Sequence, residues 1–253
     1  MITINTSDNK KVYFASDQHL GAPTAAASFP REKKFVAWLD SIKEDAEAVF
    51  LLGDLFDFWF EYKTVVPKGF VRVLGKLAEL KDAGIPIYFF VGNHDLWMND
   101  YFEKELNIPV YHAPQEFCIN NKKMLIGHGD GLGPEDKGYK RMKKVFTFPF
   151  FKWLFRWLHP DIGVKLGQYM SVKNKIISGD EDAKFLGEEN EWLVQYCKRK
   201  LTSKHYDYFV FGHRHLPLEI KLQENSTYIN LGDWIQYFTY GVFDENEIHL
   251  KKY

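Results

Sequence analysis

Ala48-Val49-Phe50-Leu51-Leu52-Gly53-Asp54-Leu55-Phe56-Asp57 is an apolar run of strand length that ends abruptly on a glycine and a carboxylate. Such a run predicts a strand, and a polar group just past its carboxyl end stands where α/β sheets hold ligands. The pattern recurs on both sides. Upstream, Lys11–Ser16 runs into Asp17-Gln18-His19. Downstream, Ile87–Val91 meets Gly92-Asn93-His94-Asp95, Met124–Ile126 meets Gly127-His128-Gly129-Asp130, and Tyr208–Phe211 meets Gly212-His213-Arg214-His215. Between these strands lie helical stripes: Phe35, Leu39, Ile42 and Ala46 in a helix over Pro30–Ala46, then Phe70, Val73, Leu74, Leu77 and Leu80, stopped by Gly84 and Pro86, and later Trp192–Leu201. Strands alternating with helices give an α/β fold class. Thr227–Leu231 and Tyr240–Phe243 read as late strands, antiparallel to each other because no helix separates them.

The 253 residues suit a single domain, 1–253, with one insertion at approximately 133–187. Hydrophobic residues are 45% and charged residues 26% of the chain, enough for a full core. Cys118 and Cys197 have no metal-binding spacing and predict no disulfide framework, which suits a reducing compartment. The N-terminus lacks the apolar stretch of a secretory signal, and no segment approaches the roughly 20 apolar residues of a membrane span. The formal net charge of −1 conceals an asymmetry. From Lys137 to Lys175, ten Lys/Arg face one acid, Asp161, a local charge of +9.

Each polar motif alone is weak, since a lone histidine beside a strand is most often a hydrogen-bonded core residue. Five of them at strand ends, all offering carboxylate, carboxamide or imidazole, point to metal binding. A carboxylate shared by two divalent ions allows them to activate water and neutralise phosphate oxygens. No cysteine nucleophile and no Gly-rich nucleotide loop competes with that reading.

The five blocks, in this order, resemble the calcineurin-like metallophosphoesterases. That resemblance implies two mixed β-sheets packed as a sandwich and flanked by helices, and a pair of divalent ions with Mn²⁺ the first expectation. It implies that Asp17, His19, Asp54 and His215 hold one ion, and that Asp54, Asn93, His128 and His213 hold the other, with Asp54 bridging. His94 takes the place of the family's histidine that contacts phosphate or protonates the leaving oxygen, with Asp95 as its expected orienting partner. Asp57 and Asp130 are expected to support ligands, and Arg214 to pair either with phosphate or with a surface acid.

The substrate signal lies in the insertion. Val145–His159 (VFTFPFFKWLFRWLH) is densely aromatic. On a helix, Phe151, Leu154, Phe155 and Leu158 share one face, with Trp157 at its edge and Lys152, Arg156 and His159 on the other, while Pro149 argues against one long core helix. Aromatics and cations on opposite faces suit an acyl-chain cap or a membrane surface. Nucleic acid would want them interleaved on one face, so none is expected. Gly53–Trp59 and the spacing from His128-Gly129-Asp130-Gly131 to Asp136-Lys137-Gly138-Tyr139 resemble the UDP-2,3-diacylglucosamine hydrolases of lipid A synthesis. This implies release of UMP from an acylated UDP-sugar at the cytoplasmic face of the inner membrane, with Tyr139 near the substrate phosphate and the insertion acting as a lid. His94 stands where that group usually has Arg, and Arg214 where it has a small residue. Two rivals remain: a phosphoesterase acting on a soluble phosphodiester or phosphomonoester, and a non-catalytic metal-binding scaffold.

Overall fold

The computed structural model describes residues 1–133, 137–182, 184–185 and 187–253, with the side chains of 137 and 172–182 outside the description. Asp136, quoted for its spacing, therefore lies outside the described residues, as do the side chains of Lys137, Lys173 and Lys175.

Two six-stranded sheets face each other. One carries β1 (Ile2–Ile4), β6 (Gln115–Ile119), β7 (Lys122–Ile126), β8 (Tyr208–Phe211), β10 (Ser226–Leu231) and β9 (Pro217–Gln223), in that spatial order. The other runs β12 (Glu247–Lys252), β11 (Thr239–Asp244), β2 (Lys11–Ala15), β3 (Ala46–Leu52), β4 (Ile87–Phe90) and β5 (Val110–Tyr111). Alternation of side chains along each strand sorts the core into layers. Val12, Phe14, Ala48, Phe50, Leu52 and Phe90 from one sheet meet Phe117, Met124, Ile126, Val210 and Ile229 from the other. On the far face of the second sheet, Tyr13, Val49, Leu51 and Phe89 lie beneath α1 (Ala25–Ser41), α2 (Val71–Asp82) and α3 (Tyr101–Leu106). On the far face of the first, Leu125, Phe209 and Tyr228 lie beneath α7 (Trp192–Leu201). The order is helix, sheet, sheet, helix. The central strands are apolar over most of their length because both of their faces are covered.

Three expectations are corrected. Thr227–Leu231 and Tyr240–Phe243 are not partners. β10 pairs in parallel with β8, whereas β11 crosses to the other sheet and pairs antiparallel with β2. The connection between them, at Gly232-Asp233, delivers a carboxylate to the site described below. The first helix begins at Ala25 rather than Pro30, because Thr24 Oγ1 accepts from the Ala27 N–H and caps it there.

The third correction concerns the insertion, which holds α4 (Lys137–Thr147), α5 (Pro149–Arg156) and α6 (Pro160–Asp182). Pro149 starts α5 afresh, and what is corrected is the sorting of side chains around it. Its inward side chain is Phe155, with ring centroids 4.7 Å from Phe60 and 4.6 Å from Trp97. Lys152, expected on the solvent face, lies half-buried, and burial pushes its ammonium pKa down. Phe150, Phe151, Trp153, Leu154 and Trp157 all face outward. The two residue classes do not separate onto opposite faces.

The long helix α6 is seated through small residues. Gly163 lies against Tyr62 and Gly167 against Phe58, so close that a Cβ would collide with the Tyr62 hydroxyl at the first and with the Phe58 ring at the second. Ser171, one turn further on, is buried. Ile162, Leu166, Tyr169 and Met170 on the same helix are exposed. Among the described residues no helix is long and apolar enough to cross a membrane.

Phe50 is fully buried between the sheets, its ring centroid 5.0 Å from Phe14 and 4.9 Å from Phe117. We expect Phe50→Ala to cost about 3–5 kcal/mol of stability, measured by urea unfolding, and Tyr253→Ala at the half-exposed C-terminus to cost far less.

Candidate metal centre

β2, β3 and β4 run parallel in one sheet and β7 and β8 run parallel in the other, so the loops leaving their carboxyl ends meet at one rim of the sandwich. All five motifs lie there. Backbone bonds lock them together: Asp17 N–H donates to Gly53 O at 3.1 Å, His19 N–H to Asp54 O at 2.8 Å, and Gly212 N–H to His128 O at 2.9 Å. The loops must turn sharply, and the polar residues themselves take that strain. Asp17, His19, Asp54, His213 and His215 all have φ between 44° and 70°. Non-glycine residues rarely occupy this left-handed region, and clusters of them mark sites where backbone strain is held in place by the surroundings. Gly92 and Gly212 permit the close approach, since a Cβ on either would strike the Asp54 carboxylate or Ser16 and Asp17.

The buried carboxylate of Asp54 is central. Its Oδ2 lies 3.6 Å from His19 Nε2 and 3.4 Å from His128 Nε2, while its Oδ1 accepts from the His94 N–H at 2.8 Å. On one side, Asp17, His19, Asp54 and His215 each offer a donor atom, all within 4.8 Å of one another. His19 Nε2 and His215 Nε2 are 3.1 Å apart. On the other side, His128 Nε2 lies 3.1 Å from Asn93 Oδ1, and the ring of His213 is centred 5.1 Å from that of His128.

The outer nitrogens face backbone or carboxylate oxygens. His128 Nδ1 meets Leu52 O at 2.7 Å, His215 Nδ1 faces Asp233 Oδ2 at 3.4 Å, and His19 Nδ1 faces Asp57 Oδ1 at 3.3 Å. With oxygens facing Nδ1 in this way, each Nε2 is directed towards the centre, as metal-binding histidines require.

Electrostatics give the same reading. Burial raises the Asp17 pKa above the usual carboxylate range. Burial would also raise Asp54, yet the imidazoles of His128 and His94 hold it well below that range. Burial opposes a charge on His128, but Asp54 raises it to about 10. His213 is lowered to about 3 by burial and by His128. Buried carboxylates are thus drawing positive charge into the rim, and without a cation a proton on His128 supplies it. Asp17 Oδ1, buried and without a hydrogen-bond donor, has the same need. Imidazole, carboxylate and carboxamide donors so arranged fit divalent transition-metal ions.

A family model for calcineurin-like phosphoesterases matches residues 10–217. The chain belongs to the calcineurin-like phosphoesterase family. A UDP-2,3-diacylglucosamine hydrolase from Porphyromonas gingivalis (strain ATCC BAA-308 / W83) is 38% identical over 95% of this chain and 97% of its own length. One of the same name from Shewanella sp. (strain W3-18-1) is 26% identical over 89% of this chain and 90% of its own. A solved Vps29 from Entamoeba histolytica aligns over 95% of this chain and 97% of its own at 12% identity, with a TM-score of only 0.44. As expected of this phosphoesterase family, the donor set is suited to divalent metal.

Other expected residues have different surroundings from those anticipated. Asp95 does not orient His94. Its buried carboxylate accepts from Gly92 N–H at 2.7 Å and Leu55 N–H at 3.0 Å, tying the second and third motif loops together. Burial, with the charge of Asp54, raises its pKa to about 7. His94 Nδ1 instead lies 3.0 Å from Asp57 O and 2.8 Å from Ser171 Oγ, and that hydroxyl donates to Asp57 Oδ2 at 2.7 Å. Arg214 forks onto buried Glu191, with Nε to Oε2 at 2.9 Å and a terminal nitrogen to Oε1 at 3.0 Å. Of its two expected partners it has the acid, and a buried one. It joins the last motif to the start of α7. Tyr139 Oη donates to Asp130 Oδ2 at 2.5 Å, and Lys143 Nζ meets the same oxygen at 2.5 Å.

Three contributors escaped the motif reading. Asp233 was legible in principle, because Gly232-Asp233 follows a strand as Gly53-Asp54 does. Ser16, whose Oγ donates to Asp17 Oδ2 at 2.5 Å, merely precedes a motif. Ser171 had no local signal, since only the docking of α6 brings it in.

Metal loading must displace the proton on His128, so affinity should fall as pH drops below about 10 and more of that proton must be removed. Calorimetric Mn²⁺ titrations at pH 7.5 in buffers of different ionisation enthalpy should show net proton release. Equal heats in all buffers would contradict the assignment.

Proposed function

We propose that the chain hydrolyses the pyrophosphate of UDP-2,3-diacylglucosamine to UMP and 2,3-diacylglucosamine 1-phosphate, using two divalent ions, Mn²⁺ first among them. The observation that carries the substrate is α6. The helix brings Ser171 to within 2.8 Å of His94, and along the same helix Ile162, Leu166, Tyr169 and Met170 are exposed beside the outward aromatics of α5. A soluble phosphodiester has no use for an apolar surface on the helix that buttresses a catalytic histidine. The full-length similarity to hydrolases of that name supports the same substrate.

Asp17, His19, Asp54 and His215 would hold one ion and Asp54, Asn93, His128 and His213 the other. When bound, such ions supply Lewis acidity that lowers the pKa of water and neutralises phosphate oxygens. The remaining work falls to the side chains around them. Asp57 O and Ser171 Oγ hold His94 by Nδ1, so Nε2 is left to meet a phosphate oxygen or give a proton to the departing one. Asp57 also faces Nδ1 of His19, so one carboxylate positions both a metal donor and the acid. Tyr139, through Asp130, holds α4 against the loop of His128. Loss of charge at Asp54 removes the shared ligand and should be worse than loss of any single histidine.

The outward aromatics of α5, with Phe150 and Trp153 rings stacked at 6.0 Å and Trp157 beyond them at 5.9 Å, form an apolar surface within the basic insertion. We read this as the contact with an anionic membrane surface, on the cytoplasmic side where the substrate is made. The lid role of residues 133–187 belongs to the same reading.

Purified protein with Mn²⁺ and UDP-2,3-diacylglucosamine should release UMP, and no UMP from metal-loaded protein would refute the proposal. Asp54→Ala and His94→Ala should each lower kcat by about 10²-fold or more, with far-UV circular dichroism unchanged. In flotation with vesicles of anionic phospholipid, Trp153→Ser/Trp157→Ser should leave the lipid fraction while still cleaving substrate in detergent. Unchanged flotation would exclude these side chains as the membrane contact.

A further inference from the structure

A cavity of about 370 Å³ opens off the metal centre beside His128 and Asp130. It lies between the ends of β4 and β5 and one face of α4. Phe90, Tyr111 and Pro114 form an apolar wall, and Lys140, Lys143 and Lys144 line the opposite one. Those lysines recur at i, i+3 and i+4 and so share one helical face. Their commitments differ. Lys143 is paired with Asp130 and Lys140 caps the carbonyl of Gly133, whereas the Lys144 ammonium has no hydrogen-bond or ion-pair partner among the described residues. His112 completes the rim. Burial, followed by the charges of Lys152 and Lys143, pushes His112 towards its neutral form, which shows how positive the surroundings are.

We propose that this cavity receives the nucleotide half of the substrate, a pyrimidine nucleoside monophosphate. The base lies on the ring of Tyr111, which leans on Phe90 with centroids 5.1 Å apart, and the phosphate side meets Lys144. An aromatic wall facing cations suits a base and its phosphate. An acyl chain would instead bury lysine charge without compensation, and the chain already offers acyl groups the surface of α5 and α6. The volume lies within the range of small-ligand sites. Adjacency to His128 puts the scissile phosphorus at the centre while the base occupies the cavity. The assignment rests on the pyrophosphate reading above.

The test is direct binding of UMP, inorganic phosphate and 2,3-diacylglucosamine 1-phosphate to the Mn²⁺-loaded full chain. Lys144→Ala should weaken UMP and inorganic phosphate about fivefold or more, and Tyr111→Ala should weaken UMP about tenfold while sparing phosphate. Tyr111→Phe should bind UMP as the parent does, and thermal melts check that each variant is folded. Unchanged UMP binding in both alanine variants overturns the proposal, as does no UMP binding by the parent chain. It is also overturned if the lipid phosphate, rather than UMP, is weakened. A parent chain that releases UMP from the full substrate while the variants bind UMP normally leaves the hydrolase reading intact and removes only the cavity assignment. Failure to release UMP removes the hydrolase reading, and the cavity then stands or falls on UMP binding alone.

Discussion

Asp54 is a carboxylate held out of water at the point where two sheets meet, with imidazoles on both sides. A buried anion is tolerated only when positive charge is brought to it, and the rim of this sandwich is arranged to bring that charge. Its two oxygens are divided between tasks: one is fixed by the His94 N–H, and the other stands between His19 and His128. His128 is anchored by its outer nitrogen on Leu52 O and the outer nitrogen of His19 faces Asp57, so both inner nitrogens are directed at the carboxylate. The charge of one side chain thus sets the orientation of the rest.

The backbone meets a cost for this arrangement. Most of the expected metal donors sit in left-handed conformations that their side chains disfavour. The sandwich can support that strain because the loops are cross-bonded and rooted in strands covered on both faces. Asp95, neither ligand nor partner to His94, belongs to this support. It is a buried acceptor that joins two loops through their N–H groups.

The insertion adds a second level of organisation. Glycines let α6 approach Phe58 and Tyr62, and that approach carries Ser171 into contact with His94 and Asp57. The Arg214–Glu191 fork ties the chain returning from the insertion to the last motif. The insertion is therefore connected to the centre by specific polar contacts as well as by apolar packing, while α5 and α6 expose apolar side chains outward.

Much of this was determined by the sequence itself. Short apolar runs ending on Asp, Asn or His identified five strands and the loops after them, because burial on both faces leaves no polar residue inside such a strand. Those loops supplied the donor types, and their order supplied the family. Pairing was less legible: Thr227–Leu231 and Tyr240–Phe243 look like neighbours along the chain, yet a turn at Gly232 sends them to different sheets. Helical periodicity also misjudged the faces of α5, since the docking of Phe155 turns Lys152 inward. Only the tertiary structure decided that Ser171 rather than Asp95 positions His94, that Arg214 belongs to Glu191, and that Asp233 backs His215. These contacts join residues far apart in the chain, and local spacing carries no information about which helix will dock where.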